Sequence, residues 1–140
     1  MFIKQLSIFV ENKFGRLEAI VDALHKNDIN IRALSIADTT DFGILRVIVD
    51  NTDKAKEALD NIGVIAKITD VIAVYLDDKA GGLAKVLKIL TEEKISVEYM
   101  YAFLSRQADK ALMVLKADDE SKAEKVLKLN GIEIFDQKEM

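Results

Sequence analysis

Phe14-Gly15-Arg16-Leu17, followed by Ile20, Val21 and Leu24, returns as Ala80-Gly81-Gly82-Leu83, followed by Val86, Leu87 and Leu90, each position moved by 66 residues. Both stretches set apolar residues at the i, i+3, i+4, i+7 spacing of one helix face, behind a glycine that can open the helix. The segment before each repeats as well. Leu6, Ile8 and Val10 correspond to Ile72, Val74 and Leu76, alternating as one face of a strand. The chain is a duplication, and duplicated modules create pseudo-symmetric interfaces of the kind where small ligands commonly bind.

Working outward, residues 3–10 read as a first strand and Glu11–Gly15 as the loop into the helix, which Asn27-Asp28 ends. Residues 30–37 form a second strand, Asp38-Thr39-Thr40-Asp41 a turn, and 43–49 a third strand. Asp50-Asn51-Thr52-Asp53 supplies capping oxygens for a second helix through Ala55, Ala58, Leu59 and Ile62, and Gly63 stops it. A short strand near Val64–Ile68 completes β-α-β-β-α-β and runs without a flexible linker into Thr69-Asp70-Val71.

The second half repeats the order: strand 70–77, helix 81–94, strands 96–104 and 110–116, helix 119–130, then 132–135 closing the sheet. Its second helix matches at an offset of 68 (Ala55 to Ala123, Leu59 to Leu127, Gly63 to Gly131), so two residues are gained in the turn after the second strand. The expected fold is α+β, with two ferredoxin-like βαββαβ modules in tandem, residues 1–69 and 70–140. Each has an antiparallel sheet with helices on one face.

Of the 140 residues, 50% are apolar and 31% charged, enough for a core beneath a hydrated surface. Modules this small are marginal alone and should be rigidly coupled. The net charge of −4 argues against a nucleic-acid surface, and the lysines interleave with acids on helices, as in Lys54-Ala55-Lys56-Glu57. The absence of cysteine excludes disulfides and thiol chemistry. No signal-peptide pattern opens the chain and no apolar run reaches membrane-spanning length, so a cytoplasmic location is expected.

The sheet's outer face has no helix to cover it. Phe9 and Tyr75 point away from the core alternation, and Tyr99, Tyr101 and Phe103 add an aromatic row on a face the sequence leaves unassigned. An uncovered apolar sheet face predicts a homodimer. The same aromatics could imitate an RNA-binding sheet, but the acidic balance and lack of nearby basic residues weigh against that.

Asn12–Gly15 and Asp78–Gly82 are the candidate ligand loops. Glycine lets a ligand approach the backbone, and free N–H groups at a helix start suit a carboxylate or phosphate. Asn12 or Asp78 beside that anion site could accept bonds from an ammonium group, so the loop could hold both polar ends of a free α-amino acid. The plainer reading is a glycine that only permits a tight turn.

These residues carry a family resemblance. The chain resembles a tandem pair of ACT domains, regulatory modules that bind amino acids in many biosynthetic enzymes. Asn12-Lys13-Phe14-Gly15-Arg16-Leu17 with Asn27–Ile31, and Asp78-Lys79-Ala80-Gly81-Gly82-Leu83 with Lys94–Tyr99, carry the likeness, which extends over essentially the whole chain. It implies a ligand between adjacent modules, gripped by this loop and by the start of strand two. Carried over, one site comprises Asn12, Phe14, Gly15, Arg16 and Leu17 with Asn30 and Ile31. The other comprises Asp78, Ala80, Gly81, Gly82 and Leu83 with Ser96 and Val97. The family usually has proline before the loop glycine. Phe14 and Ala80 stand there instead, which implies less preorganised loops and makes Phe14 a possible pocket wall.

The lone His25 near the end of helix one is read as a surface or helix-end residue, and Asp118-Asp119-Glu120 as a helix cap, so no metal or cofactor is expected. Catalysis would need a fixed constellation. Arg16 and Asn30 are the nearest approach, Gly82 and Ser96 replace them in the repeat, and no enzyme is expected. The resulting expectation is a regulatory amino-acid sensor acting on a separate enzyme or transporter. The alternative is a ligand-free interaction module of the same fold.

Overall fold

The computed structural model describes residues 1–38, 41–104 and 110–139. The element order is β1 (Ile3–Glu11), α1 (Arg16–Lys26), β2 (Ile31–Asp38), β3 (Phe42–Val49), α2 (Thr52–Asn61), β4 (Ala66–Asp77), α3 (Gly82–Glu92), β5 (Val97–Ala102), β6 (Lys110–Ala117) and α4 (Glu120–Leu129). This is βαββαβ twice, with the last strand of the first module and the first strand of the second fused in β4. No glycine or proline interrupts β4, so nothing in the backbone forces a break there. The turn expected over Asp38–Asp41 falls partly on Thr39 and Thr40. The two added residues fall near 105–109. Both lie outside the described residues.

The chain forms two compact units, Lys4–Thr69, and Asp70–Met140 together with Met1–Ile3. In the first, β3 pairs antiparallel with β1 and β2, and the Phe9 N–H donates to the Ile65 carbonyl at 3.1 Å beside β1. Leu6, Ile8 and Val10 pack with Leu45, Val47 and Val49 beneath Ile20, Leu24 and Leu59. In the second, β6 pairs antiparallel with β4 and β5. Ile72, Val74 and Leu76 pack with Leu115 beneath Val86, Leu90 and Leu127. The segment expected as the closing strand is a single bridge, Val74 to Ile134. Tyr75 N–H donates to the Glu133 carbonyl at 2.9 Å and Phe135 N–H to the Ala73 carbonyl at 2.8 Å.

The repeat reaches into backbone detail. Gly15 and Gly81 precede α1 and α3 at φ 82° and 88°. Asn51 and Asp119 cap α2 and α4, each side chain accepting from the N–H three residues on. Bulges interrupt β2 at Ile31/Ala33 and β5 at Val97/Tyr99. The expected helix stripes need correction on three helices: Leu83 of α3 and Ile62 at the end of α2 are exposed, and the stripe of α1 shifts. Ile20 and Leu24 are buried together with Ala23, whereas Leu17 and Val21 are more than one-third exposed. The buried face of α1 is centred on Ile20, Ala23 and Leu24, and Leu17 and Val21 flank it.

The register also assigns the aromatic row. Tyr75 stands opposite Leu112, Tyr101 opposite Val114 and Tyr99 opposite Lys116, all on the face away from the helices. This face is not open. Tyr101 and Phe103 are each 8% exposed, and Phe135 packs on Phe103 with ring centroids 5.5 Å apart and on Tyr75 at 6.1 Å. The C-terminal segment supplies the cover, so these rings are neither an RNA-stacking platform nor an argument for a face-to-face dimer. In the first unit Phe9 and Phe42 remain about half exposed, edge to face at 6.2 Å.

Candidate functional site

Each candidate loop closes on itself before the helix begins. Lys13 N–H bonds the Glu11 carbonyl at 2.7 Å and Arg16 N–H the Lys13 carbonyl at 3.2 Å. In the repeat, Lys79 bonds Asp77 at 2.8 Å and Gly82 bonds Lys79 at 3.1 Å. The helical ladders start at Ala19 and Lys85, which bond the carbonyls of Gly15 and Gly81 at 3.0 Å. The N–H groups of Leu17 and Glu18, and of Leu83 and Ala84, therefore lie outside the ladder at the positive end of the helix dipole. No side chain caps either helix start among the described residues. Around the first loop, Glu11 pairs with Lys13 at 3.1 Å and lies 3.9 Å from Arg16. The Lys13 hydrogen bond and charge hold the Glu11 carboxyl below its ordinary range.

The strand-two residues are held differently. Asn30 N–H donates to Asp50 Oδ1 at 3.1 Å, and Asp50 N–H returns a bond to the Asn30 carbonyl at 3.2 Å. Ser96 and Asp118 repeat the clasp at 3.1 and 3.0 Å. Asp118 and Asp119 thus serve backbone N–H groups of Ser96 and Lys122, and Glu120 accepts from Ala117 N–H at 3.0 Å, which bears out the capping reading. Burial pushes the Glu120 carboxyl up.

Register separates the two halves of each carried-over site. On β3, Val10 is level with Gly43 and Ile31 with Val49. Six residues of strand span about 20 Å. On β6, Leu76 is level with Ala111 and Val97 with Ala117, the same separation. Asn12–Leu17 therefore sits at the opposite end of its sheet from Asn30 and Ile31, and Asp78–Leu83 opposite Ser96 and Val97. Neither set closes around one small molecule within its own module. Ile31 and Val97 are half-buried against their cores, and Phe14 is fully exposed rather than walling a pocket. Gly82 is required by the fold itself, since a Cβ there would meet the Asp77 carbonyl oxygen at 2.1 Å.

The sequence reading missed a groove of about 670 Å³ in the first unit, between α1 and the turn after α2. Phe9, Ile20, Ala23, Phe42, Ile62 and Ile65 line it, with Arg16 at its margin. Its signal was available in the repeat. Ala23 and Ala58 stand where the second module has Ile89 and Val126, and two small side chains in place of two large ones leave the space empty. A cavity of about 550 Å³ in the second unit touches Ser96 and Val97 beside Leu87, Leu90 and Lys94.

Duplicated βαββαβ modules with glycine-opened helices define a class of tandem ferredoxin-like domains. The sequence matches the ACT domain pair over residues 1–140, and the chain belongs to that family. It is similar to the crystal structure of protein BT0572 from Bacteroides thetaiotaomicron, at 41% identity and a TM-score of 0.90, covering 96% of this chain and 92% of that one. The ligand-free regulatory subunit of aspartate kinase from Thermus thermophilus is 15% identical with a TM-score of 0.63, covering 90% and 89%. The corresponding subunit from Thermus flavus is 14% identical with a TM-score of 0.60, covering 90% of each. At those identities the aspartate kinase subunits speak for the fold alone. Among proteins of curated function, none matches this chain in sequence. No helix among the described residues is long and apolar enough to cross a membrane.

Proposed function

We propose that this ACT domain pair is a regulatory sensor, not an enzyme, that binds a free amino acid and modulates a separate enzyme or transporter. The observation that carries this reading is the duplicated helix start. At both loops a left-handed glycine leaves two N–H groups outside the helix ladder, open to a carboxylate. Because each loop is about 20 Å from the start of its own strand two, a ligand touching both kinds of residue needs the loop of one module and the strand start of another, which two copies of the chain can supply. A homodimer in the cytoplasm is the form we expect to work. A ligand bridging modules shifts their equilibrium only by its differential affinity for the two arrangements. The clasped N–H groups of Asn30 and Ser96 favour the second reading, an interaction module that has lost its ligand.

A thermal-shift screen against the proteinogenic amino acids tests this. Saturation at about 100 times the dissociation constant adds about 2.7 kcal/mol, a rise of several degrees for a chain this size. Gly15→Asp and Gly81→Asp would set a fixed carboxylate where the ligand's would lie. Nothing stands within 4 Å of either Cβ position, so the cost of each is the left-handed φ, about 1 kcal/mol. Loss of the shift in folded variants supports the sensor. A flat screen on well-folded wild-type protein overturns it.

A further inference from the structure

The first module carries a knob and a hole side by side, and the second has different residues at the positions of both. Phe14 is fully exposed in the Glu11–Gly15 loop, and Glu11 and Arg16, which flank that loop, are among the residues lining the apolar groove. In the second module Ala80 replaces Phe14, while Ile89 and Val126 occupy the places of Ala23 and Ala58. The residue of the knob and the small residues of the hole change together between the modules. A fully hydrated phenyl ring and an open apolar groove are each unfavourable alone.

We propose that a second copy of this chain fills the groove: Phe14 of each protomer inserts into the groove of the other, in an isologous dimer. One patch bearing both a knob and its receptor is self-complementary under a two-fold axis. The charges agree. Glu11, Arg16, Asp22 and Lys26 border the groove as two acids and two bases, with Lys26 and Asp22 paired at 3.0 Å. A rim without net charge lets identical patches meet without repulsion and rearranges readily into pairs across the axis. A stable interface takes about 800 Å² from each partner, about a tenth of the 8267 Å² that the chain exposes. Phe14, Phe9, Phe42, Ile62 and Ile65, all half to fully exposed, are the apolar centre of such a patch.

This dimer does not depend on the amino-acid reading, although it places one candidate ligand loop at the interface. The test is sedimentation equilibrium of wild type, Phe14→Ala, Ala23→Ile and the double variant, with a melting curve for each. Wild type should be dimeric, and Phe14→Ala should weaken association about thirtyfold, as for an aromatic anchor in a pocket. Ala23→Ile fills the groove with the residue the second module uses, and should weaken association comparably. The double variant should lose little more, because both changes remove one contact. Ala58→Val replaces Ala23→Ile if the latter lowers the melting temperature. A wild type monomeric at about 100 µM overturns the proposal. So does a dimer that either Phe14→Ala or the groove-filling variant leaves unaltered, since knob and hole must fail together.

Discussion

Lys94 holds φ 58° at the end of α3, and Asp28 holds φ 56° at the end of α1. Both occupy the left-handed position of a Schellman motif. Ile95 N–H bonds the Leu90 carbonyl at 2.9 Å and Lys94 N–H the Thr91 carbonyl at 3.0 Å, and Ile29 and Asp28 do the same to Leu24 and His25 at 3.0 Å. The second helix of each module uses glycine there instead, Gly63 and Gly131 at φ 74° and 77°. Lysine has no side chain suited to this region, so Lys94→Gly should stabilise the protein by about 1 kcal/mol. Asp28→Gly should gain less, since aspartate tolerates the conformation. Urea denaturation of both variants checks this, and a Lys94→Gly protein no more stable than wild type would refute it. Asn27-Asp28 was legible as a helix end because those residue types favour the left-handed region. Lys94 was not, because lysine carries no such signal and only the repeat offset points to it.

At the scale of the element, Gly81-Gly82 shows how one pair of glycines serves two purposes. Gly81 supplies a left-handed φ of 88° with open space around its Cβ position. Gly82 lets α3 start directly against the end of β4, where a Cβ would lie 2.1 Å from the Asp77 carbonyl oxygen. Since that neighbour is backbone, it cannot swing aside, and the helix start must move. Gly82→Ala should destabilise by about 3 kcal/mol, whereas Gly81→Ala should cost about 1 kcal/mol. Thermal melts of the two variants check the order, and equal losses would contradict it. The sequence reading placed both glycines in a candidate ligand loop and did not foresee the close approach, because spacing reveals a helix start but not how near the end of β4 lies to it. The strand and helix order was legible from periodicity, as was the fusion at β4 from the missing linker. The offset between loop and strand two was not, because it depends on register across β3 and β6.

For the molecule as a whole, the first three residues belong to the unit otherwise built from Asp70 onward. Phe2 packs against its core, and the Met1 ammonium donates to Glu124 Oε2 on α4. Nothing in local sequence announces a pair 123 positions apart. It follows from where β1 begins, a property of the assembled fold, just as the groove follows from comparing two modules. The hydrogen bond from the ammonium holds the Glu124 carboxyl below the ordinary glutamate range, outweighing the opposing effect of burial. A carboxyl depressed in the folded state stabilises that state while it is ionised. Its contribution is complete above the unfolded-chain pKa and disappears as pH falls through the folded value. Glu124→Gln should therefore lower stability near neutral pH by about 1 kcal/mol or less, as for a partly exposed pair. The difference from wild type should close as pH falls into the acidic range. Parallel denaturation midpoints of the two proteins between neutral and acidic pH measure it. A gap that persists or widens at low pH would mean that the ionised carboxylate does not hold Met1 in place.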